Sequence, residues 1–344
     1  MKARRLSFLV MHVSTRCDQA CQHCSIWKSN GKAHEELTGT ARREILGEAR
    51  ALGARGVLFT GGEPLLSPDL EPLARHARDV GLSVQIATNG LGIARAATWL
   101  AELVDEIYVS LEGPVEVHDR IRGAGMFARL ESSLVRMREF SRRPRMTGRS
   151  VVSEHTAPRM EETVESARAL GLDAISFLPI DVTSSAFGGD PKSRLALWPS
   201  PEANEALRAA IRTMEVRGEL GRFVVEDFTK LMAMSARFSE GAVSAAAPRC
   251  DAPEWSSVVE ADGAVRPCFF QPGIARAGGS SLGAVRRSGA YADALRTLGR
   301  GDETCARCVC PKYAGTELSR VIERASRVLR PGVTARRRAP MSAQ

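Results

Sequence analysis

The stretch Cys17-Asp18-Gln19-Ala20-Cys21-Gln22-His23-Cys24 decides how this chain is interpreted, because it brings three cysteines close together. Three closely spaced thiolates can bind three irons of a [4Fe–4S] cube and leave the fourth iron open for chemistry. A structural zinc site needs four ligands, and His12, His23 or His34 could supply the fourth. A disulfide is the weaker alternative, since nothing marks the chain as secreted. The triplet alone therefore predicts a metal centre and leaves iron–sulfur and zinc open.

A second motif follows in the run Val57–Leu65, where Gly61-Gly62-Glu63-Pro64 interrupts an apolar segment. The pattern predicts a buried strand that ends in a tight loop. Glycine lets a backbone approach a ligand closely, and a carboxylate with carbonyl oxygens suits an ammonium group. An ordinary Gly-Gly turn is the alternative. The occurrence of the motif after the cysteine triplet favours a shared site.

Together these residues resemble the radical SAM superfamily. There the C-x3-C-x2-C run holds a [4Fe–4S] cluster whose open iron chelates S-adenosylmethionine (SAM), which is reductively cleaved to methionine and a 5′-deoxyadenosyl radical. The Gly-Gly-Glu-Pro run of that family binds the amino group of SAM, which implies this role for Gly61, Gly62, Glu63 and Pro64. His23 stands where the family often has an aromatic residue near the adenine.

A third match resembles the fourth-strand region of the SPASM and twitch branch. It runs from Ser110-Leu111-Glu112-Gly113-Pro114 to His118-Asp119-Arg120-Ile121-Arg122-Gly123. The resemblance implies that Ser110 and Arg122 bind the carboxylate and ribose of SAM, while Glu112 replaces the commoner aspartate. Asn89 belongs to another common family element, and Leu178 matches a position whose backbone contacts the adenosine.

Strand-like runs alternate with helical patterns over the first half of the chain. Such alternation predicts a parallel α/β sheet with right-handed crossovers, and its six strands resemble the partial (β/α)6 TIM barrel of the family. The strands are expected at Leu6–Val13, Val57–Thr60, Leu82–Thr88, Glu106–Leu111, Ser150–His155 and Ala174–Pro179. The helices are expected at Thr40–Leu52, Pro68–Val80, Ile93–Val104, Met126–Phe140 and Pro158–Leu170. In such barrels the chemistry collects at the carboxyl ends of the strands.

The domain organisation follows from these elements. We expect a radical SAM barrel over residues 1–200, a helical connection over 201–247, a twitch (SPASM-like) domain over 248–325 and a basic, disordered tail over 326–344. The segment Val182–Pro191 is rich in Ser, Gly and Asp and predicts a loop that covers the site. Glu154 and His155 end the fifth strand, and they are candidate catalytic residues because histidine can act as a base near neutral pH. A solvated strand end is the alternative.

The remaining cysteines form a second set. Cys250 and Cys268 flank an Asp262-Gly263 hairpin signal, and Cys305, Cys308 and Cys310 follow near the end of the chain. Four of them could bind zinc or an iron–sulfur cluster. The order of these residues resembles the twitch domain, which carries one auxiliary [4Fe–4S] cluster. Its implied ligands are Cys250, Cys268, Cys305 and Cys308, with Cys310 as a spare.

The chain has 48 basic and 40 acidic residues and a net charge of +8. Basic clusters at residues 142–145, 286–287 and 320–338 could bind nucleic acid, but aromatic residues are not interleaved with them. Solvated arginine-rich faces and attraction to an acidic substrate are therefore favoured. No apolar run is long enough to span a membrane, and the cysteine usage predicts a cytoplasmic protein.

The resemblance implies a radical SAM oxidoreductase that removes a substrate hydrogen atom and oxidises a small metabolite or a peptide with the help of the auxiliary cluster. An external electron donor such as flavodoxin or ferredoxin is implied as well. The early start of the barrel tilts the expectation slightly toward a small molecule. A radical SAM enzyme acting on RNA is one alternative. A non-catalytic zinc or iron–sulfur protein is another, but it leaves the motifs at residues 61–64 and 110–122 unexplained.

Overall fold

Six parallel strands, in the order of the chain, form most of a nine-stranded sheet. The computed structural model describes residues 6–29, 36–239, 252–277 and 280–298, together with Cys305 and Cys308. Each of the six strands pairs in parallel with the next. They are β1 (Phe8–Ser14), β2 (Gly56–Gly61), β3 (Ser83–Thr88), β4 (Glu106–Ser110), β5 (Arg145–Val152) and β6 (Ala174–Pro179).

Amphipathic helices connect and cover these strands. In one of them, Leu70, Leu73, Ala74 and Ala77 are buried, a three-to-four-residue spacing that presents one apolar face to the sheet. The helices are α1 (Gly39–Ala51), α2 (Leu70–Asp79), α3 (Ile93–Leu103), α4 (Val115–Arg122), α5 (Met126–Arg138), α6 (Met160–Ala169), α7 (Pro201–Val216) and α8 (Phe228–Phe238). Short 3₁₀ helices occupy Pro64–Leu66, Ala157–Arg159 and Pro191–Leu197. The predicted α/β alternation is confirmed.

Two elements differ from the sequence expectation. Strand β5 spans Arg145–Val152 rather than Ser150–His155, because Arg145 and Thr147 pair with Glu106 and Tyr108 of β4. Glu154 and His155 therefore follow the strand and do not end it. Helix α4 was not predicted, since its mixture of charged and branched residues lacks a clear apolar period. It carries the last arginine of the third motif into the site.

The C-terminal region continues the same sheet. Strand β7 (Ser256–Val259) lies parallel to β1, and β8 (Ala264–Arg266) and β9 (Ala275–Arg276) follow in antiparallel pairing. Gly263 has a φ of 87° at the β7–β8 turn, so the Asp-Gly hairpin prediction is confirmed. The remaining helices are α9 (Ala252–Trp255), α10 (Leu282–Arg287) and α11 (Gly289–Thr297). Cys250, Cys310 and the tail 326–344 lie outside the described residues.

Several arginines of the basic clusters have partners within the protein. Arg143 forms an ion pair with Asp173 at 2.6 Å, and Arg145 lies 3.6 Å from Glu106. Arg286 is buried and donates to the carbonyl oxygens of Ser256 and Glu254. These three guanidinium groups therefore stabilise strand and helix ends. Within the described ranges, no helix is long and apolar enough to cross a membrane.

Candidate active site

The loop that carries the cysteine triplet begins directly after β1 and packs against the Gly-Gly motif after β2. The backbone N–H of Gly62 donates to the carbonyl of Ser14 at 2.8 Å, and that of Glu63 donates to Arg16 at 2.7 Å. A Cβ atom on Gly61 or Gly62 would lie 2.2 Å from the carbonyl oxygen of Ser14 or Arg16, respectively. Both glycines are thus required for the contact between the two loops.

The thiol of Cys21 is buried, and those of Cys17 and Cys24 are half-buried. Burial raises the pKa of Cys17 to about 12, and it also raises the pKa of Cys21 and Cys24. A metal binds the thiolate form, which the Arg122 guanidinium favours through its contact with the Cys21 Sγ at 3.6 Å. A [4Fe–4S] cube takes one thiolate on each of three irons, and Cys17, Cys21 and Cys24 offer three thiols on one short loop. The donor set fits an iron–sulfur cluster.

Hydrogen bonds to Glu63 connect the ends of β2 and β3. Its buried carboxylate accepts hydrogen bonds from the Thr88 hydroxyl at 2.6 Å and from the backbone N–H groups of Asn89 and Leu65 at 2.7 and 3.0 Å. Burial raises the pKa of Glu63 to about 7, and these hydrogen bonds oppose that effect. The Asn89 amide donates to Asp18 at 2.7 Å, so the end of β3 is linked to the cysteine loop.

Glu112 and Arg122 form the ion pair at the centre of the site. The Arg122 Nη2 and Nε donate to Oε1 of Glu112 at 2.6 and 3.0 Å, and its Nη1 donates to Gln19 at 3.1 Å. Burial is the largest effect and would raise the pKa of Glu112, but the Arg122 charge, His23 and the hydrogen bonds from Val151 and Arg122 together lower that pKa. His23 Nε2 lies 3.9 Å from Oε1 of Glu112. Burial lowers the pKa of His23 to about 4, so its ring is neutral at physiological pH.

A cavity of about 300 Å³ opens at the carboxyl ends of the strands. It joins residues of the barrel to residues of the C-terminal region. Among its lining residues are five of the predicted SAM-binding positions, namely His23, Ser110, Glu112, Arg122 and Leu178. Two of the predicted auxiliary ligands, Cys268 and Cys308, line the same cavity beside Phe269 and Phe270. Gly61, Gly62, Glu63, Pro64 and Asn89 do not line it; they shape the loops around it.

The loop after β6 lies against the cysteine loop, where the sequence predicted a covering segment. Arg194 holds it together, because this guanidinium is only 1% exposed and donates to the carbonyl oxygens of Asp181, Ser184 and Gly188. The Ser25 N–H donates to the Phe187 carbonyl at 2.7 Å. The Phe187 ring lies 5.4 Å from that of Phe269, so the loop also contacts the C-terminal region.

The two residues predicted as catalytic do not line the cavity. The Glu154 carboxylate accepts hydrogen bonds from the backbone N–H and the hydroxyl of Ser200 at 2.6 and 3.2 Å. Ser200 is the N-cap of α7, so Glu154 fixes the start of that helix. Burial lowers the pKa of His155, and Arg120 adds to this effect.

Sequence reasoning missed two arginines of the cavity wall, Arg149 in β5 and Arg237 in α8. Arg149 pairs in register with Ser110 of the neighbouring strand. Side chains two residues apart in a strand lie on the same face of the sheet. The spacing of Arg149 and Val151 was therefore the sequence signal that could have placed Arg149 in the cavity wall. Nothing in the sequence pattern relates Arg237 to the barrel, because the contact depends on how α8 packs.

Comparison with known proteins agrees with this geometry. The family model of the radical SAM superfamily matches residues 11–167. A PqqA peptide cyclase from Ruegeria pomeroyi is 30% identical over 316 residues, which cover 87% of this chain and 79% of that protein. The cyclase of the same name from Streptomyces rochei is 30% identical over 213 residues, but this chain covers only 57% of its length.

Two solved structures share the fold. Streptococcus suis SuiB bound to the precursor peptide SuiA superimposes with a TM-score of 0.63 at 16% identity, covering 93% of this chain and 73% of SuiB. The protein anSMEcpe with bound AdoMet and the Cp18Cys peptide superimposes with a TM-score of 0.64 at 18% identity. The match covers 88% of this chain and 86% of anSMEcpe. These likenesses show the partial barrel. Together with the match to the Ruegeria protein, they establish that the chain belongs to the radical SAM superfamily, in its SPASM and twitch branch.

Proposed function

We propose that this radical SAM enzyme oxidises a peptide in the cavity that His23, Arg122 and Cys268 line. As a member of its family it uses a [4Fe–4S] cluster and SAM, which together supply the radical that removes a substrate hydrogen atom. The relatives are named as peptide cyclases, and two structures of the same fold hold peptides. These names favour a peptide over the small metabolite that the sequence slightly preferred.

Cys17, Cys21 and Cys24 are the proposed ligands of the SAM-binding cluster. Ser110, Arg122, His23 and Leu178 line the adjoining cavity, which supports their assignment to SAM. Glu63 accepts two hydrogen bonds on Oε1 but only one on Oε2. A carboxylate has about four acceptor positions, so Oε2 retains capacity for the SAM ammonium group.

Cys268, Cys305 and Cys308 are proposed to hold an auxiliary cluster, with Cys250 as the fourth ligand. The Cys308 N–H donates to the Cys305 carbonyl at 3.2 Å, which forms a tight turn. Because Cys268 and Cys308 line the substrate cavity, an electron acceptor held there would adjoin the substrate. An external flavodoxin or ferredoxin would supply the one electron that cleaves SAM, and the resulting radical would take a hydrogen atom from the substrate. The substrate radical would then give one electron to the auxiliary cluster and release a proton, which completes a two-electron oxidation.

The cavity itself favours radical chemistry, because its walls are mostly apolar. Phe187, Phe269 and Phe270 lie on the side of the C-terminal region, and Val10 and Leu58 lie on the barrel side. Such walls exclude water and protect a reactive intermediate. The observation that carries the proposal is this cavity, which five predicted SAM-binding residues share with two cysteines of the second set.

The first experiment counts iron and measures SAM cleavage after anaerobic reconstitution. We expect about eight irons in the intact protein and about four after replacement of Cys17, Cys21 and Cys24 by alanine, since each cube holds four. The same count of about four is expected for Cys268→Ala combined with Cys308→Ala. Formation of 5′-deoxyadenosine should be lost only in the triple variant. Zinc in place of iron, or cleavage that persists in the triple variant, would contradict the assignment.

The substrate class is tested by deuterium transfer. Cells of the source organism are grown in heavy water, and their extract is separated into a peptide fraction and a small-metabolite fraction. Each fraction is incubated with the reconstituted enzyme, and deuterium in 5′-deoxyadenosine is measured by mass spectrometry. We expect transfer from the peptide fraction. Transfer from the metabolite fraction alone would overturn the peptide proposal while leaving the radical SAM assignment intact.

A further inference from the structure

Two cationic side chains of the cavity wall lack a hydrogen-bond acceptor where one would be expected. The Nε atom of Arg149 and the Nη1 atom of Arg237 are both buried, and neither has a hydrogen-bond partner in the described part of the chain. The Arg149 guanidinium stacks over the ring of Tyr108 at 3.9 Å. Buried polar groups in folded proteins are nearly always hydrogen-bonded, and an unpaired buried charge is costly. Arg149 and Arg237 are therefore candidates for binding an anion that enters the cavity.

The acidic residues of the wall cannot serve as that anion, because both have other partners. Glu112 is engaged by Arg122 and by the backbone N–H of Val151. Asp181 accepts hydrogen bonds from Thr183 and Ser184 within its own loop. Among the described lining residues the two carboxylates are thus already engaged, which leaves both arginines available to a bound anion.

Arg194 is a buried arginine with a purely structural role, and it serves as a comparison for Arg149 and Arg237. Arg194 uses Nε, Nη1 and Nη2 on three carbonyl oxygens. Arg149 and Arg237 differ from it because both side chains line the cavity, and each has a buried nitrogen atom without an acceptor in the described part of the chain. This contrast indicates a binding role for the pair.

We propose that Arg149 and Arg237 form a subsite for a carboxylate of the substrate. The inference rests on the proposed function, since it places the substrate in this cavity. A guanidinium group presents a planar fork of donors that matches a carboxylate in a bidentate manner. The low polarity of the surrounding wall strengthens such a contact. The natural substrate should therefore carry an acidic group near the carbon that reacts.

SAM also carries a carboxylate, and it is the competing source of the anion. Tyr108, on which Arg149 stacks, packs against the apolar cluster of Val10, Leu58 and Val258 inside the barrel. Arg237 belongs to α8, which carries none of the SAM motifs. Arg149 lies beside Ser110 of the neighbouring strand, so it is the position of Arg237 that favours the substrate.

The subsite is tested with a matched pair of small probes, N-acetyl-aspartate methylamide and N-acetyl-asparagine methylamide. They differ only in the charge of the side chain. The unfolding temperature of the reconstituted protein is measured with each probe. A ligand that binds only the folded state raises this temperature, so we expect the aspartate probe to raise it more than the asparagine probe.

The difference between the probes should disappear in Arg149→Gln combined with Arg237→Gln. It should persist in Arg145→Gln, a control on the same strand whose arginine pairs with Glu106 outside the cavity wall. The double variant should be no less stable than the parent, since it removes unpaired buried charges. Equal shifts for the two probes, or a difference that survives in the double variant, would overturn the subsite.

Equilibrium dialysis of SAM separates the two sources of the carboxylate. Unchanged SAM affinity in the double variant is expected. A tenfold or greater weakening would assign the arginines to SAM instead and overturn the substrate assignment. The probe measurements do not depend on turnover. If the deuterium assay contradicts the peptide proposal, the probe measurements therefore still decide whether the subsite exists.

Discussion

The buried Glu112–Arg122 pair shows how single residues set the charge of this site. The Glu112 side chain is fully buried and that of Arg122 is 8% exposed, so neither charge is compensated by water. The arginine also reaches Gln19 and the Cys21 sulfur. One guanidinium thus joins α4 to the cysteine loop, while its partner Glu112 is held by the backbone of β5.

Replacement of Arg122 by methionine should destabilise the protein strongly, because it leaves a buried carboxylate without its cation. Loss of one partner of a buried pair costs about 3–5 kcal/mol. The free energy of unfolding in urea measures this loss. Arg122 lowers the pKa of Glu112, so the pair stabilises the fold above the ordinary carboxyl pKa and less as the pH falls through the lowered value. The difference between the two proteins should therefore shrink in acid.

The control is the double variant Glu112→Gln with Arg122→Met, which removes both charges. It should be less destabilised than Arg122→Met alone, since no unpaired charge remains. If both variants lose the same free energy at neutral pH, the pair contributes through its shape and packing rather than through its charge.

Glu63 should give the opposite pH dependence, because burial raises its pKa to about 7 from the ordinary 4.5. Between these values the folded protein binds more protons at this site than the unfolded chain does. Its stabilising contribution is complete below pH 4.5 and is lost as the pH rises to about 7. The loss amounts to up to about 3 kcal/mol, from about 1.4 kcal/mol per pKa unit.

This dependence is measured as the difference in unfolding free energy between the parent protein and Glu63→Gln across that pH range. The difference removes the opposing contribution of the buried histidines His23 and His118, whose pKa values are lowered to about 4. Glu63→Gln also leaves one backbone donor poorly paired, a constant cost of about 1–3 kcal/mol. A difference that does not vary with pH would show that Glu63 remains ionised in the folded state.

At the scale of elements, the site depends on how closely two loops approach each other. The Gly-Gly motif was expected to approach SAM, but the structure adds a contact with the cysteine loop that leaves no room for a Cβ atom. Gly62→Ala should therefore displace that loop, with a loss of about 1–3 kcal/mol as for other overpacked sites. Iron content after reconstitution should fall as well. Urea unfolding and iron analysis measure the two effects.

Gly47→Ala in α1 is the matched control, because a Cβ atom there meets nothing within 4 Å. Alanine inside a helix is more stable than glycine by about 0.5–1 kcal/mol, so this variant should gain stability and keep its iron. If Gly62→Ala behaves like Gly47→Ala, the loops have freedom to move apart and the glycines are not needed for the contact.

Local sequence predicted the strand ends and the motifs that follow them, because each depends on neighbours in the chain. Strand β6 was predicted to the residue. The structure adds that Cys268 lines the same cavity as Ser110 and Leu178. The contacts of Arg194, Arg237 and Glu154 depend on segments that are distant in sequence. No periodicity encodes such contacts, so no sequence pattern indicated that Glu154 accepts hydrogen bonds from Ser200 at the start of α7.

At the scale of the whole molecule, the C-terminal region is joined to the barrel by more than a linker. Strand β7 adds to the free side of β1 through Phe8–Met11, and His12 lies 3.0 Å from Glu260. Arg266 contacts the same carboxylate at 2.7 Å. The cavity therefore has walls from both regions and exists only when both are folded.

A shared sheet predicts that the barrel and the β7–β8 hairpin unfold together. Hydrogen exchange in increasing urea, read by mass spectrometry, can follow peptides from β1–β2 and from β7–β8 in the same sample. We expect one midpoint for both, because loss of β7 would expose the edge of β1 and the apolar cluster of Val10, Leu58 and Val258. Peptides of α7 and α8, which pack on each other, serve as a reference for local opening. A lower midpoint for β7–β8 would show that the C-terminal region is a separate folding unit, and the cavity would then assemble only after the barrel has folded.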